Sequence, residues 1–560
     1  MVVRVRNILL TVIFALMCAG SLFPVSLLFV NEQVTPKWYC TVFCLAALLL
    51  TYVAFSFSAK GKTATAQIIF PVILVLCIMQ AAYGLLQYIH VLPGDGGFHI
   101  TGSFDNPAGF AASLCAGLPV MFYSVLKNRT LQNRITIITA TIIVAAILLS
   151  GSRSGMASML AVCMVISLYE FPKNRKLKVI LFSVVFLLFS GLYFLKKDSA
   201  DGRLLIWRCS WEMIRDQPVF GHGCGGFKAG YMDYQAGYFE HHPDSKYAML
   251  ADNVNRPFNE YILLLTNYGF AGFVLFLAVC WFVWKSFLRC RHEPVVRLAG
   301  CGLLSVAVFA FFSYPLTYPF VWIMVILSIA IILYHAKYPV KIPVRILFTV
   351  KILLIPAILF FGWKTYQRMS NEMLWCKIAR QSLSGRTERM LPEYERLRPV
   401  LSGNELFLYN YTAELNVTGH YDKSLQVGKA CERLWADYDL QMLLADNYLQ
   451  LQQYDEAERH YRKASQMCPV KFMPLYRLAK LYEERGNRVE TLRWAELILG
   501  KRIKISSPTI NAIRQEMKQL IEKDSNPASE SRTDAESVNK PQSRQDNLSE
   551  QRTPEELLPP

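Results

Sequence analysis

The sequence lacks the residue spacings that mark several common functional classes. It has 14 Cys but no CxxC pair and no Cys/His spacing typical of a zinc site. No P-loop spacing is present, and the glycines at 221–226 lack the strand and helix of a dinucleotide-binding motif. We therefore expect no metal site, no nucleotide site and no cofactor.

Acidic residues are also scarce, with 42 Asp and Glu against 59 Lys and Arg, so the net charge is +17. A basic chain can bind nucleic acid, but no recognisable nucleic-acid-binding motif accompanies this charge. Much of the excess lies instead in short segments between apolar blocks, as in membrane proteins. We predict no nucleic-acid partner.

Long apolar blocks fill residues 1–363, whereas the chain after them is rich in charge. The first block is long enough to span a membrane and too long for the core of a cleavable signal peptide. We predict an all-α fold, in which a polytopic membrane helical bundle of about eleven spans precedes a soluble α-helical repeat domain. The predicted spans are 8–30, 38–57, 67–89, 107–126, 135–150, 155–171, 179–195, 258–284, 298–313, 316–334 and 346–363.

The basic residues predict the orientation of this bundle. With the N-terminus in the cytoplasm, the short outer connections contain only Lys37 and Arg153, whereas the cytoplasmic connections contain 18 Lys and Arg. The loop 196–257 and the chain after residue 363 then lie outside the cytoplasm. The predicted domains are a membrane domain at 1–363 that includes this loop, helical repeats at 364–523 and a disordered tail at 524–560.

A weak repeat of about 34 residues runs through the soluble half. Small residues recur at this spacing, for example Ala413, Ala445 and Ala479. Period and residue types resemble tetratricopeptide repeats, whose helix pairs stack into a concave binding surface. The resemblance predicts a protein partner on the repeats, and a helical cap without a ligand is the alternative.

Arginines are the most informative residues of the polar segment 203–272. Arg203 and Arg256 come from this segment, and together with Arg153 from a separate loop they can converge at the outer membrane surface. Because a guanidinium binds phosphate through two parallel hydrogen bonds, this set predicts a phosphorylated lipid ligand. The alternative is that each Arg pairs with a local acid or a lipid headgroup.

Histidines and cysteines of the same segment leave several alternatives open. His241 and His242 can act as a general base for a hydroxyl nucleophile, or they can be ordinary solvated loop residues. No third ligand at a useful spacing supports a metal site. Cys209 and Cys224 either form a disulfide in an oxidising compartment or stay unpaired.

Four segments resemble a known membrane family, and they occur in the same order. The segments are Gly102-Ser103-Phe104-Asp105-Asn106-Pro107, Ser152-Arg153-Ser154-Gly155, the pattern Arg203 to Phe227, and Asn259-Glu260-Tyr261 with Gly269-Phe270-Ala271-Gly272. Together they resemble the shared domain of bacterial O-antigen ligases, O-antigen polymerases and protein O-oligosaccharyltransferases.

This resemblance implies a membrane glycosyltransferase of the bacterial inner membrane, most simply of the O-antigen ligase type. It would transfer a glycan from an undecaprenyl-pyrophosphate donor to lipid A-core, a growing glycan or a protein at the periplasmic face. Arg153 and Arg203 would hold the pyrophosphate and stabilise it as it leaves, with Arg256 as a further phosphate ligand and Asn259 as an orienting group. A non-catalytic glycan-lipid transporter or an assembly scaffold is the alternative from another class.

The chain departs from the family pattern at Phe258. The family usually has His-Asn where this chain has Phe258-Asn259, and a phenyl ring cannot accept a proton. One alternative is that His241 or His242 replaces the missing histidine. The others are that catalysis relies on positioning and leaving-group stabilisation, or that activity has been lost.

Overall fold

The computed structural model describes residues 2–56, 66–94, 97–127, 131–170, 183, 197–338 and 343–525. The described residues form helices and connecting turns without any strand, which confirms the all-α prediction. The chain divides into two compact units. Unit 1 comprises Met1–Lys196, Phe258–Leu265 and Phe270–Met373, and unit 2 comprises Lys197–Pro257, Thr266–Gly269 and Leu374–Pro560.

The helices of the described residues are numbered here in chain order. The first twelve are α1 (Val2–Leu22), α2 (Thr35–Ser56), α3 (Ala66–Tyr88), α4 (Pro107–Lys127), α5 (Leu131–Leu149), α6 (Arg153–Glu170), α7 (Lys197–Asp216), α8 (Gly226–His241), α9 (Glu260–Cys290), α10 (Pro294–Phe312), α11 (Pro319–Ala336) and α12 (Val344–Gln381). The others are α13 (Thr387–Leu401), α14 (Glu405–Val417), α15 (Tyr421–Glu432), α16 (Tyr438–Gln450), α17 (Tyr454–Met467), α18 (Met473–Glu484), α19 (Arg488–Gly500) and α20 (Pro508–Ser525). A short 3-10 helix covers Pro315–Thr317 and a π-helical turn covers Ser382–Arg386.

Seven helical runs of the described chain are long and apolar enough to cross a membrane. They are Arg4–Leu22, Thr35–Phe55, Ile69–Tyr88, Glu260–Cys290, Pro294–Phe312, Pro319–Ala336 and Phe348–Leu401. Shorter apolar helices cover Pro107–Met121, Ile138–Leu149 and Arg153–Ser167. The predicted total of eleven spans stays a prediction, because 179–195 lies outside the described residues except residue 183.

The first predicted span, 8–30, is too long. Helix α1 ends at Leu22, and residues 23–34 form turns before α2 begins. Pro24 explains the end, because the residue before a proline is driven out of the helical region of backbone space. Apolar residues therefore continue beyond the helix that they appeared to extend.

Helix α4 is the centre of unit 1, where it contacts α3, α5, α6, α10 and α11. Hydroxyl groups link three of these helices, because Ser158 Oγ lies 2.8 Å from Ser305 Oγ and Ser305 Oγ donates to the Cys115 carbonyl at 2.6 Å. Gly155 packs directly on Ala111, where an added Cβ would lie 2.8 Å from the alanine methyl. These contacts place the first turn of α6 beside the first turns of α4.

Unit 2 joins helices α7 and α8 to the helical repeats. Helices α14 and α15, α16 and α17, and α18 and α19 pack as successive pairs, and each pair contacts the next. A residue with positive φ turns the chain inside each pair, at Gly419, Gln452 and Gly486. This regular geometry supports a helical repeat, and its assignment to the tetratricopeptide family stays a prediction.

The compact units divide the chain differently from the predicted domains. Residues 197–257 belong to the same unit as the repeats, since α8 packs on α17. The change from unit 1 to unit 2 late in the chain comes at Met373, inside α12. The predicted boundaries at 363 and 523 stay predictions, and residues 526–560 of the predicted tail lie outside the described residues.

Candidate functional site

The segment 101–106 is held by hydrogen bonds to buried side chains. Gln87 Oε1 accepts the backbone N–H groups of Thr101 at 3.0 Å and of Gly102 at 2.7 Å. Ser103 Oγ donates to Gln80 Oε1 at 3.2 Å. The segment that carries the first part of the resemblance is therefore rigidly anchored just before α4 begins.

Lys37 ties this segment to the connection between α1 and α2. The side chain is completely buried, and Nζ donates to the carbonyl groups of Pro24 at 3.0 Å, Ser103 at 2.7 Å and Gln33. Its ammonium group also lies 5.0 Å from the centre of the Phe104 ring. A buried lysine is costly unless it is fully hydrogen-bonded, and here three carbonyls satisfy it.

A cluster of hydroxyl, amide and carboxyl groups follows at Asp105 and Asn106. Tyr318 is buried, and its hydroxyl donates to Asp105 Oδ1 at 3.2 Å. Asn106 Nδ2 donates to the hydroxyls of Tyr318 at 3.0 Å and Tyr314 at 3.3 Å. Asn106 Oδ1 meanwhile accepts the first N–H groups of α4, from Ala108 at 2.8 Å, so this side chain caps the helix and organises the cluster together.

Phe258 lies against Tyr314 of this cluster, and Asn259 follows it at the start of α9. The Phe258 ring centre is 5.5 Å from that of Tyr314, and the residue has the unusual positive φ of 53°. Asn259 is buried, and its Oδ1 accepts the N–H groups of Tyr261 at 2.9 Å and Ile262 at 3.1 Å. Asn259 is thus the N-cap of α9, and its predicted role in orienting a substrate stays a prediction.

Arg153 is the first residue of α6 and is half-buried. The preceding Ser152 accepts the Gly155 N–H through its hydroxyl at 3.3 Å, which caps the helix. Unpaired N–H groups at a helix start attract anions, so the guanidinium group and the helix end favour the same type of ligand. Gly155 in the same turn of α6 packs on Ala111, so Arg153 lies near the start of α4.

In unit 2, Arg203 and Arg256 are brought into one region through Trp207. Arg203 is half-buried on α7, and Trp207 follows it by one helical turn. Trp207 Nε1 donates to the Pro257 carbonyl at 3.0 Å, so the chain at Arg256 is held against α7. Arg256 itself is exposed. The hydrogen bond from Trp207 therefore holds the backbone next to Arg256 against the helix that carries Arg203.

Two further parts of the resemblance meet at a break in α9. Gly269 has φ 61° and ψ −164°, and a Cβ added there would lie 2.4 Å from the Val219 carbonyl oxygen. Gly221 has φ 66°, and its Cβ would lie 2.5 Å from the Asn267 carbonyl carbon. The His222 N–H donates to the Thr266 carbonyl at 2.9 Å. These glycines are required for close backbone packing.

His241 and His242 lie at the C-terminal end of α8, where both are exposed. Their Nδ1 atoms lie 2.8 Å and 3.0 Å from the carbonyl oxygens of Gly237 and Tyr238. These contacts satisfy the end of the helix and leave Nε2 as the nitrogen that can exchange a proton. Neither the role of a base nor that of a solvated residue is decided by these positions.

Cysteines and metal ligands add no further site to the described chain. Cys209 is buried and Cys224 is exposed, and both are free, so the structure corresponds to the unpaired alternative. Among the described residues, no group of three or more His, Cys, Asp or Glu side chains is arranged to hold a metal ion.

Sequence reasoning missed the roles of Lys37, Asp105 and Tyr318. Lys37 did have a signal, because it is one of two basic residues predicted in the short outer connections. Asp105 belongs to a segment singled out for its resemblance, but nothing in the sequence linked it to a tyrosine more than 200 residues later. That pairing depends on tertiary packing alone.

Residues 138–277, about a quarter of the chain, match the family model described as O-Antigen ligase. The matched segment contains six of the residues selected from the sequence: Arg153, Arg203, His241, His242, Arg256 and Asn259. No curated protein matches the chain significantly. The match indicates a membrane glycosyltransferase family of the O-antigen ligase and polymerase type, and it supports a place for this chain in the O-antigen ligase superfamily.

Proposed function

We propose that the chain transfers a glycan from an undecaprenyl-pyrophosphate donor to an acceptor hydroxyl at the periplasmic face of the bacterial inner membrane. The proposed acceptor is lipid A-core, which makes the chain an O-antigen ligase with a cytoplasmic N-terminus. The observation that carries this proposal is the family match, because one matched segment contains Arg153, Arg203 and Arg256.

In the proposed reaction, the acceptor hydroxyl oxygen attacks the anomeric carbon of the donor sugar. The bond between that carbon and the pyrophosphate oxygen breaks, and its electron pair leaves with the pyrophosphate. Negative charge therefore grows on the leaving group, where permanently charged guanidinium groups stabilise the transition state most effectively. We assign this role to Arg153 and Arg203, with Arg256 as a further ligand.

The hydroxyl proton also needs an acceptor, since Phe258 cannot take it. His241 and His242 are the candidates from the sequence, and Asp105 is a further candidate in unit 1. Loss of water around the carboxyl group raises the pKa of Asp105, although the residue as a whole is exposed. The hydrogen bond from Tyr318 and the positive charge of Lys37 act in the opposite direction and lower this pKa. A carboxylate with a raised pKa is a stronger base, and the Tyr318 hydroxyl holds it in place.

The test is transfer by the purified full-length protein in liposomes. A labelled polyprenyl-pyrophosphate-linked glycan and lipid A-core are supplied, and the acceptor-linked product is measured. We expect R153A and R203A each to lower the rate by about 100-fold or more, because each removes a ligand of the developing charge. The matched control is R208A. Arg208 is also on α7, but its guanidinium group lies over the Tyr238 ring, 4.9 Å from the ring centre, and we assign it no contact with the donor.

Retention of transfer by both R153A and R203A would reject the arginine assignment. A wild-type protein that moves the donor between leaflets without forming product would support the transporter alternative, and one that does neither would support a scaffold. Comparison of D105N with H241A and H242A then identifies the base, because the replaced base should cost about 100-fold or more while the other variants retain transfer.

A protein acceptor is the second candidate within the same chemistry. The observation that favours it is the packing of α8 against the helical repeats in one compact unit, since helical repeats present surfaces suited to protein partners. Deletion of the gene distinguishes the two acceptors. Loss of O-antigen from lipopolysaccharide supports lipid A-core, whereas loss of glycan from proteins supports a protein O-oligosaccharyltransferase.

A further inference from the structure

The repeats of unit 2 hold helix α8 along its length. Near its start, Lys228 forms an ion pair with Glu405, and its carbonyl oxygen accepts the Ala436 N–H at 3.1 Å. Further along, Asp233 forms an ion pair with Lys463 at 2.9 Å. These contacts come from α14, from the connection between α15 and α16, and from α17, so three repeat elements hold one helix.

The same repeats hold the segment that leads to Arg256. Trp435 is buried, and its Nε1 donates to Asn255 Oδ1 at 2.8 Å. Asp437 is completely buried, and its Oδ2 accepts from Asn253 Nδ2. Each contact joins a side chain of the repeat domain to an Asn within three residues of Arg256.

The buried Gln235 continues this connection from α8. Its Nε2 donates to the Met467 carbonyl at 2.6 Å and to the Asp252 carbonyl at 3.0 Å. One amide group therefore contacts the end of α17 and the beginning of the Arg256 segment together. Replacement of a buried amide of this type by an apolar group is costly, because the two carbonyl groups that accept its hydrogen bonds would be left without a partner.

The connection reaches α7 at the other side of Arg256. Pro257 follows Arg256, and its carbonyl accepts from Trp207, which lies one turn after Arg203 on α7. Two hydrogen bonds, Trp435 to Asn255 and Trp207 to Pro257, are thus joined by the short backbone segment 255–257, and together they link the repeats to the helix that carries Arg203. All of these residues belong to unit 2.

We infer that the repeat domain positions the loop at residues 252–257, which carries Arg256. In this arrangement, Trp435 is a positioning residue that acts on Arg256 through Asn255. This inference rests on the proposed function for its effect on the donor, but not for its effect on the loop. It assigns the repeats a role inside the transferase, in addition to any partner that they bind.

The test compares four variants of the full-length protein. W435F removes the N–H donor and keeps an aromatic ring for Lys228, whose ammonium group lies 5.2 Å from the Trp435 ring centre. N255A removes the acceptor, whereas N255D keeps an oxygen that can accept from Trp435. W494F is the matched control, because Trp494 is a buried repeat tryptophan whose Nε1 has no hydrogen-bond partner among the described residues.

Two measurements are made on each variant. Hydrogen–deuterium exchange of residues 252–256 reports how firmly the loop is held, whether or not transfer is observed. Transfer kinetics report the KM for the lipid-linked donor and the KM for the acceptor. We expect faster exchange and a threefold to tenfold higher donor KM in W435F and N255A, as one lost hydrogen bond would cause, with the acceptor KM unchanged. N255D and W494F should resemble the wild type.

Unchanged exchange in both W435F and N255A would overturn the inference, and so would faster exchange with an unchanged donor KM. If the wild type transfers no glycan, the proposed function fails, and the exchange data alone then decide whether the repeats position the loop. Slow exchange that returns in N255D after its loss in N255A supports the inference directly.

Discussion

Glu414 makes the stability of unit 2 depend on pH. It lies in α14 and is 4% exposed, and its Oε1 has no hydrogen-bond partner among the described residues. Burial raises the pKa of Glu414 from 4.5 to about 7. Because the folded state binds the proton more tightly than the unfolded state, folding is favoured at low pH, and this contribution is lost as pH rises through about 7.

The expected size follows from the change in pKa. At 1.36 kcal/mol per pH unit, a rise from 4.5 to about 7 corresponds to about 3 kcal/mol of stability lost between pH 4.5 and pH 7. E414Q should lack this loss, because a neutral amide does not titrate. Asp437 has a pKa raised to about 6 by burial, and His460 has a pKa lowered to about 4 by burial, but both are present in the two proteins and cancel in the difference.

The assay is pulse proteolysis of the full-length protein in urea at pH 5 and pH 8, with fragments of unit 2 as the readout. With a denaturant dependence of about 1–3 kcal/mol per molar, the wild-type midpoint should fall by about 1–3 M more than that of E414Q. E395Q is the opposite control, because hydrogen bonds from Tyr411 and Lys423 lower the pKa of Glu395. Equal pH dependence in wild type and E414Q would refute the reasoning.

Further predictions concern the break in α9, the hydrogen bond between Tyr318 and Asp105, and the cysteines. G221A should destabilise unit 2 by about 2 kcal/mol or more, measured by thermal unfolding, because the added Cβ would meet the Asn267 backbone. The control is G237A in α8, where the added Cβ has open space, and this substitution should be neutral or slightly stabilising. Equal effects of the two substitutions would contradict this account. Y318F removes a hydrogen bond that lowers the pKa of Asp105, so the acidic limb of the pH–rate profile should move to higher pH if Asp105 is the base; an unmoved limb would exclude it. A maleimide reagent should label Cys224 in the folded protein and Cys209 only after unfolding, whereas protection of both until reduction would indicate a disulfide.

The fold class could be predicted because its signals are local and periodic. Apolar blocks of membrane length, basic connecting segments and a repeat of about 34 residues each occur within short windows. Where the prediction was wrong, a local rule competed with hydropathy: Pro24 ends α1 although apolar residues continue to Val30. Hydropathy measures solubility in lipid, and it does not measure where backbone hydrogen bonds stop.

The candidate site could be predicted only in part, because its contacts join distant residues. Arg153 stands out in the sequence as a charge between two apolar blocks, and Arg203 stands out as the first residue of the polar segment 203–272. Trp435 and Asn255 have no such signal, since a single hydrogen bond across 180 residues leaves no periodic pattern. Gly221 and Gly269 belong to segments that carry the family resemblance, and the structure explains them by the close approach of two backbones.

The contact between the repeats and the loop also determines how this protein can be recombined. Residues 197–257 and the repeats from 374 to 525 belong to one compact unit, together with Thr266–Gly269, although 116 residues separate the loop from the repeats in the sequence. A chimera that imports the loop alone would bring Asn253 and Asn255 to foreign partners, whereas one that imports both parts together with Thr266–Gly269 would keep these donors with their acceptors. Divergence at Trp435 is thus expected to be accompanied by compensating change at Asn255, so that the two positions are inherited as a pair.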